Sequence, residues 1–372
     1  MTTMEWSPQQ NKALQSVQAW LKDKKGPQVF RLFGFAGTGK TTLAKEIAEM
    51  VKGHVLYMCF TGKAALVLRR KGCTGASTIH SAIYKAKRDD VTGHHVFKLD
   101  RDSAVRGAGL VIVDEVSMVG MELGKDLLSF GTRILVLGDP FQLPPIKGEG
   151  FFDSTAPDVL LTEIHRQAAD NPIIRMSMDV REGRTLRPGT YGESRVITRD
   201  QVEGKEVLAA DQVIVGLNRT RQNYNRRIRE LRDLEGPTPV LGDRLICLRN
   251  DRDLGLLNGS LWEPTKSPEV LYDNVPLVKA RVTSLDDPDA DQVDITVPKH
   301  FFLGTEKELD WRIKRDYEEF TFGWAITGHK SQGSQFDNVF VVDEGFVFRE
   351  DAARWQYTAI TRAAERVTVL VS

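Results

Sequence analysis

The sequence predicts an α/β protein of more than one domain, built around a phosphate-binding loop, and three observations carry that prediction. Gly34-Phe35-Ala36-Gly37-Thr38-Gly39-Lys40-Thr41-Thr42 fits G-x-x-x-x-G-K-[ST] in full, between an apolar run, Val29 to Phe33, and a stretch of helical apolar spacing, Leu43 to Ala48. Two further apolar runs, Leu110 to Val113 and Ile134 to Leu137, each lead into polar residues at the end where open α/β sheets bind their ligands. Beyond residue 200 the pattern recurs: Gln212 to Gly216 and Val339 to Val342 read as strands flanked by helical patterns, a second α/β layer set.

The length of 372 residues suits two to three domains, and 41% hydrophobic with 27% charged residues is ordinary for a globular chain. Fifty-one basic residues balance fifty-one acidic ones, so any polyanion site must be a local patch. Cys59, Cys73 and Cys247 are odd in number and without ligand spacing, which predicts reduced thiols and no zinc site. No apolar run approaches the roughly 18 residues of a membrane span, and no signal-peptide pattern opens the chain. The expectation is a cytoplasmic protein without membrane partners.

In chain order, Ser7 stands ready to cap an amphipathic helix with Ala13, Leu14, Val17, Trp20 and Leu21 on one face. Gln10 within it carries both a donor and an acceptor and is a candidate adenine contact, although taken alone the segment is only a helix. In the loop that follows, glycines let backbone N–H groups turn inward around phosphate oxygens, and the next helix presents its free amides to the same anion. Lys40 then reaches the β- and γ-phosphates of a nucleoside triphosphate, and the Thr41 hydroxyl ligates Mg²⁺.

Val55 to Phe60 is the next strand, running into Thr61-Gly62-Lys63-Ala64-Ala65 where a helix begins. Thr78-Ile79-His80 starts another helix; a lone histidine there is more often structural than a ligand contact. Lys85 to Ser103 holds two polar-alternating arms around Thr92-Gly93, a pattern shared by a projecting β-hairpin and a solvated loop. The Leu110 strand ends in Asp114-Glu115, the pair needed opposite the loop lysine: Asp114 to hold the Mg²⁺ water shell, Glu115 to orient and deprotonate the attacking water. The Ile134 strand ends in a proline-stiffened loop whose Gln142 can sense the γ-phosphate. In the second half, Asn223 to Leu234 carries Arg226, Arg227, Arg229 and Arg232, more often a solvated face than a nucleic-acid patch. Between Asn258 and Phe320 come short β-like pieces with Pro, Asp and Gly turns, a small all-β insert.

Taken with Asp114-Glu115-Val116-Ser117-Met118 and Gly138-Asp139-Pro140-Phe141-Gln142-Leu143-Pro144-Pro145, the loop, the Thr61 and the Thr78 motifs resemble superfamily 1 helicases of the RecD/Dda type in residues, order and spacing. His165-Arg166-Gln167 resembles the family's arginine-bearing motif at the start of its second motor domain. Ala325 to Ser334 resembles a DNA-contacting motif, and Tyr357 to Ala363 the final arginine motif. The match runs from about Gln10 to the C-terminus. It departs at Gly328, where the family often carries an apolar residue before the histidine, and in the short span between the second and third motifs.

The resemblance implies two RecA-like P-loop NTPase domains with a small hairpin insert in the first and an SH3-like insert in the second. Domain 1A would comprise 1–83 and 106–160, a strand-splitting pin 84–105, domain 2A 161–257 and 320–372, and the SH3-like insert 258–319. ATP and Mg²⁺ would be the cofactors. Gln10, Gly34, Ala36, Gly37, Thr38, Gly39, Lys40, Thr41 and Thr42 would bind the nucleotide, with Thr41 and Asp114 at the metal. Glu115, Gln142 and Lys40 would act in catalysis, joined by Arg166 and Arg362 reaching across an interdomain cleft to the γ-phosphate. Thr61, Lys63, His80, Phe97, His329, Lys330, Ser331 and Gln332 would contact DNA, the partners being single-stranded DNA and its junctions with duplex, with replication or recombination proteins as further candidates. The implied activity is ATP-driven 5′ to 3′ translocation and unwinding. Its rivals are a translocase that remodels DNA or RNA without separating strands and a P-loop kinase, which would not need the distant arginines.

Overall fold

Apolar runs of the first half form one parallel sheet because both of its faces are covered. The computed structural model describes residues 5–88, 95–144, 150–153, 155–164, 170–251 and 253–371, in two units, residues 1–60 with 64–181 and residues 61–63 with 182–372. In the first unit the strands are β1 (Val29–Gly34), β2 (Val55–Cys59), β3 (Ser77–Thr78), β4 (Tyr84–Arg88), β5 (His95–Leu99), β6 (Leu110–Asp114), β7 (Ile134–Gly138) and β8 (Val159–Leu161). Six of them pair in parallel in the order β3-β2-β6-β7-β1-β8. Alternation along each strand feeds two cores. Phe30, Leu32, Leu110, Ile112, Leu135 and Leu137 pack with helices α1 (Pro8–Lys22) and α2 (Lys40–Glu49). Val29, Phe33, Val111, Val113, Ile134 and Val136 pack on the other face with Ile79 and Ile83. A sheet buried on both faces needs near-continuous apolar strands, which is what the runs supply.

Ser7 caps α1 as its sequence predicts: its side chain accepts from Gln10 N while the Gln10 side chain accepts from Ser7 N at 2.9 Å. The arms of the Lys85–Ser103 segment form a hairpin, β4 and β5 pairing antiparallel from Tyr84↔Leu99 to Arg88↔His95. Its turn, with Thr92 and Gly93, lies outside the described residues.

The second unit holds two sheets. One joins β9 (Gly189–Tyr191), β10 (Ser194–Ile197), β11 (Gln212–Val215), β18 (Ala325–Thr327), β19 (Phe336–Val342) and β20 (Ala363–Leu370) in the order β18-β11-β19-β20-β10-β9, parallel except for the β9–β10 edge. The other is antiparallel: β12 (Leu245–Cys247), β13 (Leu261–Pro264), β14 (Glu269–Tyr272), β15 (Pro276–Ser284), β16 (Val293–Pro298) and β17 (Phe320–Phe322), with β16 branching from β15. It keeps its own core, including Trp262, Val278, Val282, Ile295, Phe301 and Phe320, separate from the Val213, Val215, Ile228 and Phe340 core of the parallel sheet. The arginines of the helix Asn218–Leu231 divide: Arg229 is buried and paired with Asp243 at 2.8 Å, whereas Arg226 and Arg227 lie exposed beside Glu230.

Candidate functional site

A parallel sheet puts the carboxyl ends of its strands on one edge, so the turns after β1, β6 and β7 converge there. After β1 the loop needs glycine at two places, Gly37 (φ 80°) and Gly39 (φ 81°), because a left-handed backbone is strained for other residues. Gly34 has no room for a side chain, since a Cβ would stand 2.6 Å from Thr38 Oγ1. Lys40 Nζ donates to the carbonyls of Gly34 at 2.6 Å and Phe35 at 3.1 Å, which holds the ammonium inside the loop. The loop borders a cavity of about 370 Å³, lined by Phe35, Gly37, Gly39, Lys40, Thr41, Thr42, Lys45 and Lys71. The two outer lysines carry no motif signature; they enter from a helix side and a helix end.

Thr41 Oγ1 lies 3.3 Å from Asp114 Oδ2, and Asp114 Oδ1 accepts from the Glu115 N–H at 2.8 Å. Burial, with the adjacent Glu115 carboxylate adding to it, pushes the Asp114 carboxyl up to about 6, partly offset by Lys40. Glu115 adopts a left-handed backbone (φ 55°, ψ 49°), a strained state for a residue other than glycine. Past β7, the Asp139 carboxylate accepts from the Phe141 N–H at 3.0 Å and shapes the turn bearing Gln142. Gln142 is buried, and its Oε1 has no hydrogen-bond partner among the described residues, which leaves an acceptor available to a bound species.

Gln10 is committed elsewhere than to an open pocket: its Nε2 donates to Thr38 O at 3.1 Å while its Oε1 caps α1. One amide thereby ties the first helix to the phosphate loop. His80, on the short helix Ile79–Ile83, lies between Tyr84 and Phe97 with ring centroids 4.7 and 4.6 Å away. Phe97 is half exposed and sits within β5 opposite Ala86, edge-on to that histidine. Thr61 and Lys63 stand at the start of the helix Gly62–Arg70, Lys63 buried.

In the second unit, the turn Gly328–Ser331 carries His329, half-buried against the Phe348 ring at 5.6 Å; burial lowers its pKa. Lys330 is exposed and donates to Asn258 at 2.8 Å, while Ser331 and Gln332 are buried, the Ser331 hydroxyl bonding Gly328 O at 2.7 Å. Arg362 is also buried, its guanidinium donating to Thr358 O at 3.0 Å, Ser334 O at 3.3 Å and Thr361 Oγ1 at 3.2 Å. Arg166 lies outside the described residues. Cys59, Cys73 and Cys247 are buried free thiols, and no His, Cys, Asp or Glu cluster with metal-site geometry occurs among the described residues. No helix among them is long and apolar enough to cross a membrane.

A glycine loop leading into a helix, a facing Thr–Asp pair and a strand-end glutamine on one edge of a parallel sheet define a phosphate-loop nucleotide-binding protein, and such a loop implies ATP binding. Residues 5–200 match the model of the AAA domain family, and residues 322–370 that of the UvrD-like helicase C-terminal domain. The chain belongs to the AAA domain family. It is 28% identical over 388 residues to the ATP-dependent RecD2 DNA helicase of Deinococcus radiodurans, covering 95% of this chain and 48% of that protein. It is 32% identical over 199 residues to the ATP-dependent DNA helicase dda of Enterobacteria phage T4, covering 50% of this chain and 44% of that one. The chain thus spans about half the length of these curated relatives. The crystal structure of Pif1 helicase from Bacteroides in complex with ADP-AlF3 and ssDNA has the same fold, with TM-score 0.56 at 18% identity over 98% of this chain and 92% of that one.

Proposed function

We propose that this chain is an ATP-driven DNA helicase that moves 5′ to 3′ along a single strand and separates the duplex ahead of it. The observation that carries the reading is the Thr41–Asp114 pair set against the glycine loop, with a Gln142 acceptor that has no partner among the described residues on the same edge. Burial raises the Asp114 pKa more than Lys40 lowers it, so the carboxylate is under-compensated, and an all-oxygen pair of hydroxyl and carboxylate suits a hard cation, so the residues fit Mg²⁺. Thr41 and Asp114 would hold that ion, which supplies charge neutralisation on the β- and γ-phosphates when bound.

In this reading Gly34, Ala36, Gly37, Thr38, Gly39 and Thr42 cradle the phosphates, and Lys40 leaves its two loop carbonyls for phosphate oxygens. Water attacks the γ-phosphorus in line. Glu115 takes its proton as the bond to the β-bridging oxygen breaks, and Gln142 Oε1 accepts a hydrogen bond from that water. Arg166 and Arg362 serve as arginine fingers, for which Arg362 exchanges its present carbonyl partners. Thr61, Lys63, His80, His329, Lys330, Ser331 and Gln332 grip the strand, segment 84–105 acts as a pin with Phe97 on its second arm, and 258–319 is an SH3-like accessory domain. Phosphate and sugar contacts of this kind carry affinity without sequence information.

Strand displacement on duplexes with a 5′ or a 3′ single-stranded tail tests the reading. Unwinding only from the 5′ tail, with turnover raised more by DNA than by RNA, is expected. Activity confined to the 3′ tail overturns the direction; strand-stimulated turnover without unwinding on either tail leaves a translocase that remodels rather than separates.

A further inference from the structure

The segment 328–334 touches the helix Ala352–Ile360 at one end and Arg362, two residues beyond that helix, at the other. At the far end the contact is a hydrogen bond, from the Arg362 guanidinium to Ser334 O at 3.3 Å, with Phe336 N returning to Arg362 O at 2.9 Å. At the near end it is packing. Trp355 is fully buried, and a Cβ on Gly328 would stand 2.6 Å from its Nε1. The indole therefore occupies the volume that a side chain at 328 would take, which accounts for the glycine there. The Trp355 ring stacks on Phe348 (5.7 Å between centroids, 9° between planes), and Phe348 lies 5.6 Å from the His329 imidazole.

Packing for stability alone would satisfy the indole N–H, yet Trp355 Nε1 is buried with no acceptor among the described residues. An unpaired buried donor is costly, and a second arrangement that supplied a partner would recover that cost. Gly328, at the start of the neighbouring turn, is the position whose built Cβ comes nearest that nitrogen, at 2.6 Å. We infer that Trp355, seated on Gly328 and stacked through Phe348 on His329, is a positioning residue that makes the placement of Arg362 depend on what segment 329–332 binds. In this way strand binding would set the rate of ATP hydrolysis. The inference rests on the helicase reading above, and assigns a role to Trp355 and Phe348, which lie outside its motifs.

The test compares basal and single-strand-stimulated ATP turnover in wild type, Gly328→Ala, Trp355→Phe and the double variant, with strand affinity measured by fluorescence anisotropy. Gly328→Ala forces a methyl against the indole and should lower the ratio of stimulated to basal turnover about tenfold, within the ordinary range of coupling between two sites, while strand affinity stays within about threefold. The smaller ring of Trp355→Phe makes room for that methyl, so the double variant should recover at least about a third of the wild-type ratio. Trp355→Phe alone loosens the contact without a clash; it should leave basal turnover unchanged and lower the ratio about threefold, which keeps the test valid if Gly328→Ala does not fold. A wild-type ratio in both single variants, or a double variant no better than Gly328→Ala, overturns the link. A wild type whose turnover no single strand stimulates overturns the helicase reading instead, and the link with it.

Discussion

The phosphate loop of the first unit and segment 328–334 of the second are both short glycine-containing turns after a β-strand, but they are built in opposite ways. Residues 34–42 form their concavity from their own backbone: Gly37 and Gly39 take the left-handed conformation, Lys40 closes on carbonyls five and six residues back, and the cavity stands open. Residues 328–334 are defined from outside, with Gly328 under Trp355, Ser334 under Arg362 and Ser331 and Gln332 buried. A site made of backbone works wherever its local sequence is present; a site made by neighbours works only in its tertiary setting.

The harshest way to break that contrast is at the loop. Lys40→Ala and Glu115→Gln should each take ATP turnover to the detection floor, with Glu115→Gln still binding ATP in an equilibrium titration because the cradle remains. Turnover near wild type in either variant removes the catalytic assignment. Next comes the packed region. Arg362→Ala should cut strand-stimulated turnover by roughly 10³ to 10⁵, the usual range of an arginine finger, and should also lower Tm because three acceptors lose their donor. Arg362→Lys separates the two effects: it keeps the charge and loses the fork, so stability should return further than turnover does. Parallel recovery of both would make Arg362 structural.

A smaller effect tests the electrostatics of the open site. Asp114 has a folded-state pKa of about 6, above the ordinary carboxyl value, so its protonated form favours the folded chain. That contribution is complete below about pH 4 and is lost as pH rises through about 6. Asp114→Asn should therefore stabilise the nucleotide-free protein by up to about 3 kcal/mol at pH 7.5, and the gain should vanish near pH 4; chemical denaturation at the two pH values reads it, and an equal gain at both refutes the cause. The mildest change concerns Gln10. If its amide works as cap and loop tie, Gln10→Ala lowers stability by about 1 kcal/mol and weakens ATP and GTP binding alike. A selective loss of ATP over GTP would restore the adenine-contact role.

Much of the fold is legible in the amino-acid sequence. The apolar runs become β1, β2, β6, β7, β11 and β19, Ser7 caps α1, and the β-like pieces around 270, 277 and 293 become β14, β15 and β16. Each of these depends on residues close in sequence: a period of two or of 3.6, a cap three residues from its partner, glycines where the backbone turns left. The arms at 84–99 suit a hairpin and a solvated loop equally, being polar on both sides, and only the pairing of Tyr84 with Leu99 separates the two.

Partners chosen by long-range packing leave no such local mark. Gln10 offers the same amide to adenine or to Thr38 O, and the approach of α1 to the loop, 28 residues on, selects the second here. Arg229 lies in the same arginine-rich run as Arg226 but is buried on Asp243, because the helix turns that face inward. Gly328 is a bare departure from its motif in the sequence, and its reason is Trp355, 27 positions later, whose indole fills the space of a side chain. Local conformational preference and residue period are written along the chain, and they suffice for the phosphate loop, the strands beneath it and the class of chemistry. Which polar side chains are spent inside the fold and which face a ligand is settled by packing in three dimensions, because that depends on what else lies within a few ångströms.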